Sequence, residues 1–208
     1  MTKRSRARRV GFAKPQAPIA VVLGGPNGAG KSTAAPRVLQ GALGVVEFLN
    51  ADLIARGLSP FDPDGAALAA SEIMLRRMDT LAALGVSFGL ESTLAARTLA
   101  PRLRALVAQG YEFHLVFFYL PSADLAVARV ADRVRLGGHD IPEATIRRRY
   151  QAGLKNFFEL YRPLATSWQM FDNSRAGRMG LIAMGVSLRT VQVLQKRLWK
   201  RIQQGFQV

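Results

Sequence analysis

The chain has 208 residues, which is long enough for one well-packed domain and leaves little for a second. Its hydrophobic content of 49% is that of a folded globular protein, and the lack of cysteine excludes disulfides, thiolate metal sites and cysteine-based catalysis. The formal net charge of +15 is concentrated at the ends: residues 1–14 hold six basic residues, residues 175–208 hold seven, and neither segment has an acid. Such ends either bind nucleic acid or an anionic membrane surface, or are simply solvated.

The first part of the chain combines a basic stretch, Met1 to Lys14, with an apolar one, Ala17 to Gly25. Signal peptides have a similar arrangement. Here, however, the apolar stretch leads directly into a glycine-rich motif, and cleavage after it would destroy that motif. We therefore expect a cytoplasmic protein. No apolar run approaches the ~20 residues that a membrane-spanning helix needs, so no transmembrane segment is expected.

The glycine-rich motif at residues 25–32 reads Gly-Pro-Asn-Gly-Ala-Gly-Lys-Ser and matches the phosphate-binding P-loop, G-x-x-x-x-G-K-[ST]. A β-branched apolar run, 18–23, precedes it, and a helix-compatible stretch, 33–40, follows it, which is the order that a P-loop requires. The motif predicts binding of ATP with Mg²⁺: Lys31 would reach the β- and γ-phosphates and Ser32 would ligate the metal. The predicted ATP-binding residues are Gly25, Asn27, Gly28, Ala29, Gly30, Lys31, Ser32 and Thr33.

Strands and helices alternate along the rest of the chain. Strands are predicted near 18–24, 45–49, 86–90, 113–120 and 167–171, with helices at 63–84, 96–109, 123–135 and 142–161. This alternation predicts an α/β fold with a parallel sheet of about five strands and helices on both faces. We divide the chain into a basic tail at 1–16, a P-loop domain at 17–174 and a basic helical extension at 175–208.

The extension is predicted to be an amphipathic helix. Ser187 is a suitable N-cap, Gly205 could end the helix, and apolar residues recur between them at helical spacing: Leu188, Val191, Leu194, Leu198 and Ile202. Packing of this apolar stripe on the domain is the main interpretation, while contact with a partner or a membrane surface is the alternative.

Two carboxylates follow predicted strands at the edge that should carry the P-loop. Asp52 comes after the second strand and Glu91 after the third. Because the carboxyl ends of parallel strands share one edge, both should face the same cleft. A carboxylate there could accept the proton of an attacking hydroxyl during phosphoryl transfer. Alternatively Asp52 could cap a helix over residues 53–58, and Ser92 or Thr93, after Glu91, could be caps as well.

A cationic cluster follows the fourth predicted strand. It surrounds the turn Gly137-Gly138-His139-Asp140, whose glycine pair suggests the hinge of a lid over bound nucleotide. Arginines in such a lid could stabilise charge on a transferred phosphoryl group. Residues 147–149 point in different directions on a helix, so at most two of them can face the site. The arginines of the cluster are Arg129, Arg133, Arg135, Arg147, Arg148 and Arg149.

Taken together, these motifs resemble the zeta-toxin family of P-loop kinases over roughly residues 17–174. The similarity rests on GGPNGAGKST at 24–33, NAD at 50–52, LEST at 90–93, the stretch RVRLGGHDIP at 133–142, RRRY at 147–150 and FDNS at 171–174. The resemblance implies a P-loop kinase fold. It also implies phosphorylation of a sugar hydroxyl of UDP-N-acetylglucosamine and an antitoxin partner that blocks the nucleotide site.

The resemblance also implies roles for individual residues. Lys31 and Ser32 would hold ATP and Mg²⁺, and Asp52 would activate the acceptor hydroxyl. Glu91 and Thr93 would position the acceptor, a small-molecule substrate. Arg133 and one of Arg148 or Arg149 would act as lid cations, with Arg148 taken as the catalytic one, and residues 172–174 would lie near the nucleotide base.

Two alternatives to a UDP-amino-sugar kinase follow from the same residues. The first is a kinase of another metabolite or of a nucleotide. The second is an NTP-binding protein associated with nucleic acid, in which the basic ends grip phosphates and the P-loop acts as a switch.

Overall fold

A computed structural model of the protein describes residues 17–175 and 178–206. One seven-stranded sheet organises the chain, with the strand order β2-β3-β1-β4-β5-β6-β7. The first five strands in this order run parallel, and the last two are added antiparallel. The strands are β1 Ile19–Gly24, β2 Glu47–Leu49, β3 Phe88–Ser92, β4 Glu112–Tyr119, β5 Ser167–Arg175, β6 Arg178–Val186 and β7 Arg189–Val193.

Seven α-helices are found within the described ranges, most of them in the connections between parallel strands. They are α1 Lys31–Ala35, α2 Ala51–Leu58, α3 Ala67–Ala83, α4 Leu99–Ala108, α5 Ala123–Arg135, α6 Glu143–Asn156 and α7 Lys196–Phe206. A π-helical segment, Pro36–Ala42, continues α1, and a π-helical turn, Phe157–Tyr161, continues α6. None of the helices in the described part of the chain is both long and apolar enough to cross a membrane.

Helices cover both faces of the sheet, so apolar side chains are buried on each side of it. Successive residues of β4 illustrate this: Phe117 belongs to the cluster that α3, α4 and α7 cover, whereas Phe118 belongs to the cluster that α1 and α5 cover. This is the burial pattern of a parallel sheet in an α/β fold. The predicted fold class is confirmed. The sheet has seven strands instead of about five because β6 and β7 extend it.

The predicted helix from Ser187 onward is wrong for its first part. Ser187 lies in a turn with φ +48°, residues 189–193 form strand β7 paired with β6, and the helix begins only at Lys196. Three of the five residues of β7 are the β-branched Thr190, Val191 and Val193, which suit a strand better than a helix. Residues 178–193, assigned above to a helical extension, are therefore part of the same sheet. The basic tail predicted at 1–16 lies outside the described residues.

The remaining helix, α7, does pack on the domain. Trp199 and Ile202 are buried, and the Trp199 ring stacks on Trp168 of β5 with the centroids 5.6 Å apart and an interplanar angle of 16°. The guanidinium of Arg162 lies 4.8 Å from the Trp168 ring centroid, which adds a cation–π contact.

Candidate active site

The P-loop occupies residues 25–32 between β1 and α1. Gly25 has φ +139°, and a Cβ at this position would come within 2.5 Å of the Phe118 carbonyl oxygen on the neighbouring strand. Gly30 has φ +81°, and its added Cβ would lie 2.8 Å from the Asn173 side chain. Glycine is therefore required at both positions for backbone conformation, and at Gly25 also for space. The whole predicted ATP-binding set, from Gly25 to Thr33, lies in this loop and in the first turn of α1.

Lys31 is buried at the base of the loop, with 5% of its side chain exposed. Its Nζ donates to the carbonyl oxygens of Gly25 and Pro26, both at 2.9 Å, and lies 3.6 Å from Oε1 of Glu91. Burial lowers the pKa of Lys31, and the carboxylates of Glu91 and Asp52 oppose this lowering. The lysine thus sits in a poorly solvated site, where an arriving phosphate would add to the negative charge that Glu91 and Asp52 provide.

Glu91 connects three elements at the edge of the sheet. Its Oε2 accepts hydrogen bonds from the Ser32 hydroxyl at 2.7 Å and from the Asn50 amide at 2.9 Å. Together with the nearby Lys31 ammonium, these contacts bring the end of β3, the start of α1 and the start of α2 to one point. The predicted meeting of the strand ends is observed here, and Glu91 lies next to the predicted metal ligand Ser32.

Asp52 lies in the first turn of α2 and faces the same cleft. The helix is capped by Asn50, whose Oδ1 accepts from the backbone N–H of Leu53 at 3.1 Å. The alternative in which Asp52 caps this helix is therefore wrong. Within the described ranges its carboxylate has no hydrogen bond and no ion pair within 4.0 Å, and it is exposed to the cleft.

The loop after β3 carries Thr93 and is held in place by α6. Asn156 donates to the carbonyl oxygens of Leu94 at 2.8 Å and Ala95 at 3.0 Å. Gly153 packs so closely that an added Cβ would lie 2.3 Å from the Thr93 carbonyl oxygen. Ser92 and Thr93 accept from backbone N–H groups two residues ahead within the loop, and neither caps a helix. Thr93 is thus presented to the cleft by a fixed backbone.

The cleft in front of these residues has a volume of about 560 Å³ and extends from the P-loop to α3 and the segment between α5 and α6. Both acidic and basic side chains line it. They are Asp52, Asp64 and Glu91 on the acidic side and Lys31, Arg56, Arg148 and Arg149 on the basic side. Within the described residues, Arg56, Arg148 and Arg149 have no carboxylate within 4.0 Å.

The predicted lid, between α5 and α6, borders this cleft. Of the three consecutive arginines on α6, Arg148 and Arg149 line the cleft, while Arg147 pairs with Asp124 and Glu143 outside it. Arg133 is not a lining residue. Its Nη2 donates to the His139 carbonyl oxygen at 2.6 Å, and its Nε is buried without a hydrogen-bond partner in the part of the chain that the structure describes. Its charge is nevertheless close enough to contribute to the lowered pKa of Lys31.

His139 lines the cleft and contacts a residue of another loop, which its position in a glycine turn does not indicate. Its Nε2 lies 3.2 Å from Oδ1 of Asp64, a residue of the loop between α2 and α3. The two residues are far apart in sequence, so no local pattern predicts their contact. The pair connects the segment between α5 and α6, predicted above to be a lid, to the loop between α2 and α3.

Two further residues hold the P-loop from behind. Arg129, on α5, donates to the carbonyl oxygens of Gly28 at 3.4 Å and Ser174 at 2.9 Å, and Asn173 donates to that of Ala29 at 2.7 Å. Arg129 was grouped above with the lid cations, but it contacts the loop backbone. Its spacing of four residues from Arg133 places both on one helix face and could have indicated a shared direction. The contact of Asn173 joins residues 144 positions apart and has no local signal.

Comparisons with known proteins agree with this architecture. A family model described as an AAA domain matches residues 21–155, which span the P-loop, both carboxylates and the lid. An uncharacterized protein of Haemophilus influenzae is 29% identical over 126 residues, covering 61% of this chain and 88% of that protein.

Solved structures show the same fold at low sequence identity. A chain of the AvrRxo1-ORF1:AvrRxo1-ORF2 complex with sulphate ions aligns with a TM-score of 0.68 and 16% identity over 90% of this chain. This chain spans 64% of that one. A chain of the PezAT chromosomal toxin-antitoxin system of Streptococcus pneumoniae aligns with a TM-score of 0.63 and 16% identity, covering 96% of this chain and 88% of that one. The resemblance to zeta-toxin P-loop kinases is thereby confirmed in fold, and the match over residues 21–155 shows that the chain belongs to the AAA domain family.

Proposed function

We propose that the protein is an ATP-dependent phosphotransferase that phosphorylates a hydroxyl group of a small molecule, with a UDP-amino-sugar such as UDP-N-acetylglucosamine as the acceptor. The observation that carries this proposal is the position of Asp52. It is a carboxylate without a hydrogen bond or ion pair among the described residues, exposed in a cleft that begins at the P-loop lysine. A carboxylate left in this state is available to accept a proton.

On the phosphate side, the loop backbone and the start of α1 would bind the β- and γ-phosphates of ATP. Lys31 would exchange its two carbonyl contacts for phosphate oxygens, which relieves the cost of burying its charge. The Ser32 hydroxyl and the Glu91 carboxylate, 2.7 Å apart, are hard oxygen donors of the kind that Mg²⁺ prefers, so these residues fit the metal. When bound, Mg²⁺ would neutralise charge on the phosphates.

On the acceptor side, Asp52 would take the proton of the acceptor hydroxyl. The hydroxyl oxygen forms a bond to the γ-phosphorus, the bond from that phosphorus to the bridging oxygen breaks, and ADP leaves with the electron pair. Thr93 and Glu91 would position the acceptor. Arg148 would approach the transferred phosphoryl group from the lid, and Arg133, which does not line the cleft, would stabilise the same group through its charge.

The charge of the cleft supports an anionic acceptor. Arg56, Arg148 and Arg149 all line the cleft without a carboxylate partner in the described ranges. A diphosphate group would compensate such charges through bidentate hydrogen bonds. A nucleoside-diphosphate sugar offers both the diphosphate and a free sugar hydroxyl, which is why we favour it over an uncharged metabolite.

The structural relatives also suggest a protein partner for this chain. The PezAT structure is described as part of a toxin-antitoxin system, and an AvrRxo1-ORF1:-ORF2 complex was crystallised with ATP. We propose by analogy that an antitoxin protein binds this chain at its nucleotide site and that the protein acts in the cytoplasm. Loss of ATP binding on addition of such a protein would test the first of these points.

The central test is intact-mass detection of products after incubation with ATP, Mg²⁺ and UDP-N-acetylglucosamine. Wild type should give a sugar nucleotide that is heavier by one phosphoryl group. Asp52→Asn should bind ATP normally but transfer at least ~10²-fold more slowly, since that is the scale of losing a general base. Asp79→Asn, which removes an exposed carboxylate of α3 outside the cleft, is the matched control and should transfer at the wild-type rate.

Different negative results would reject different parts of the proposal: the base, the phosphate site or the acceptor. Full transfer by Asp52→Asn would reject Asp52 as the base, and full activity of Lys31→Ala would reject the phosphate site. ATP binding without a modified UDP-sugar would reject the acceptor only. The second candidate, a kinase of another metabolite or of a nucleotide, would then be tested with anionic acceptors that carry a free hydroxyl.

A further inference from the structure

Helix α7 carries a strongly basic surface that has no role in the proposed phosphoryl transfer. Lys196, Arg197, Lys200 and Arg201 are all exposed, and their spacing places them on one side of the helix. We call these four residues the basic face of α7. Trp199 and Ile202 lie on the opposite side and are buried. The helix is therefore amphipathic, and its exposed half is cationic.

The charge of the basic face is not compensated within the described residues. None of its four side chains has a carboxylate within 4.0 Å, and residues 178–206 include no aspartate or glutamate. Some exposed arginines elsewhere on the surface are paired: Arg77 with Glu47, and Arg102 with Asp79. Two more exposed cations, Arg178 on β6 and Arg189 on β7, belong to the same acid-free region. Four neighbouring cations that repel one another on a single helix favour a polyanionic partner.

The apolar side of α7 is already occupied by the domain. Trp199 stacks on Trp168, also contacts the Phe158 ring at 5.7 Å, and lies 6.0 Å from the guanidinium of Arg162. An amphipathic helix binds a lipid surface by burying its apolar side among the acyl chains. Because α7 would have to leave the sheet to do this, only its charges are available to a partner.

From this arrangement we infer that the basic face of α7 is a docking surface for the phosphate backbone of a nucleic acid. Regularly spaced phosphates offer a partner to each of the four cations, and arginine matches phosphate with bidentate hydrogen bonds. Trp199, the one aromatic ring among residues 196–205 of α7, is buried, so contacts of the cations to the nucleic-acid backbone, without readout of base sequence, are expected. This inference does not depend on which acceptor the kinase site uses.

The test is a salt titration of nucleic-acid binding by the full chain. Fluorescence anisotropy with a fluorescein-labelled 20-bp DNA duplex and a labelled 20-nucleotide RNA would give the affinity at several salt concentrations. Each phosphate contact contributes a slope of about −0.9 in a plot of log affinity against log salt for duplex DNA, and about −0.7 for a single strand. Replacing the four cations by glutamine should therefore make the slope shallower by about 3.6 for DNA or about 2.8 for RNA.

A matched variant removes the same charge elsewhere. It replaces Arg37, Arg76, Arg104 and Lys155, which are exposed on other elements, by glutamine. This control should keep the wild-type slope. Glutamine is a good helix former, so α7 should stay folded, and thermal unfolding would verify this. Each single substitution, such as Lys200→Gln, should make the slope shallower by the contribution of one phosphate contact, about 0.9 for DNA or about 0.7 for RNA.

Equal slopes of the α7 variant and the control with both probes would overturn the inference, because binding would then depend on net charge alone. Sedimentation with vesicles that contain phosphatidylserine tests the alternative partner, an anionic membrane surface. Leu188, Val191 and Leu194 are exposed near α7 and could reach a membrane. Vesicle binding that is lost in the α7 variant, without nucleic-acid binding by the wild type, would also overturn the inference.

Discussion

The contact between α6 and the loop that carries Thr93 can be tested by a single methyl group. In Gly153→Ala the new Cβ would lie 2.3 Å from the Thr93 carbonyl oxygen, whereas real Cβ atoms essentially never approach closer than 3.0 Å. The helix and the loop must therefore separate by at least about 0.7 Å, the difference between these distances. Both partners are backbone, so a side-chain rotation cannot relieve the clash.

The expected loss of stability follows from two opposing terms. Overpacking at a buried position costs about 1–3 kcal/mol, and the upper end applies where a backbone atom is displaced. Replacing a glycine inside a helix by alanine returns up to about 1 kcal/mol. The free energy of unfolding should thus fall by about 2 kcal/mol. Because the displaced loop presents Thr93, the KM for the acceptor should rise while the affinity for ATP stays unchanged.

Urea denaturation of two variants, Gly153→Ala and the control Gly205→Ala, measures the free energy of unfolding and so tests the balance between the clash and the gain in helix propensity. Gly205 lies in α7, and among the described residues no atom outside its own helix turn and chain neighbours lies within 4 Å of its added Cβ, so this substitution carries only the favourable helix term. The two variants should change stability in opposite directions. If Gly153→Ala were as stable as wild type and kept its KM for the acceptor, the rigid support of Thr93 by α6 would be refuted.

Three further predictions concern other parts of the molecule. Trp199→Ala removes the ring stacked on Trp168 and should lower the free energy of unfolding by about 3–5 kcal/mol in urea denaturation, whereas the exposed-site control Gln204→Ala should change little. Arg129→Ala loses charged hydrogen bonds to Gly28 of the P-loop and to Ser174 of β5 and should weaken ATP binding about tenfold in calorimetry; an unchanged Kd would show that the P-loop needs no such support. Burial raises the pKa of Tyr161 to about 12 from its usual value near 10, so the stability linked to its neutral hydroxyl is complete below pH 10 and is lost as the pH rises through 12. Tyr161→Phe should remove this part of the alkaline decrease in stability, and a decrease identical to that of wild type would contradict the assignment.

Elements with local signals could be predicted from the sequence. The helix expected at 123–135 has the same bounds as α5, and Ser122 caps it by accepting from the backbone N–H of Leu125 at 3.2 Å. The strand before the P-loop was predictable for the same reason, because a buried parallel strand is a short apolar run between clear boundaries. In both cases the residues that decide the structure are neighbours in sequence.

The edge of the sheet was not predictable in this way. Leu188, Val191 and Leu194 recur at helical spacing, but all three are exposed, and residues 189–193 pair with β6 instead. An edge strand depends on hydrogen bonds to a partner strand and needs no periodic apolar face of its own. The pattern that indicated a helix therefore had no packing partner over its first two turns.

The two halves of the cleft also differ in whether the residues that build them are neighbours in sequence. The phosphate half rests on residues 25–32, whose glycines, lysine and serine are adjacent in sequence, and so one motif was sufficient to predict it. The acceptor half is built by contacts between distant segments: Glu91 with Ser32 and Asn50, α6 with the Thr93 loop, and His139 with Asp64. Acceptor specificity should therefore reside in α2, α3 and the segment between α5 and α6. The arginines that α2 and α6 contribute to the cleft, unpaired within the described residues, are the reason why we propose an anionic acceptor.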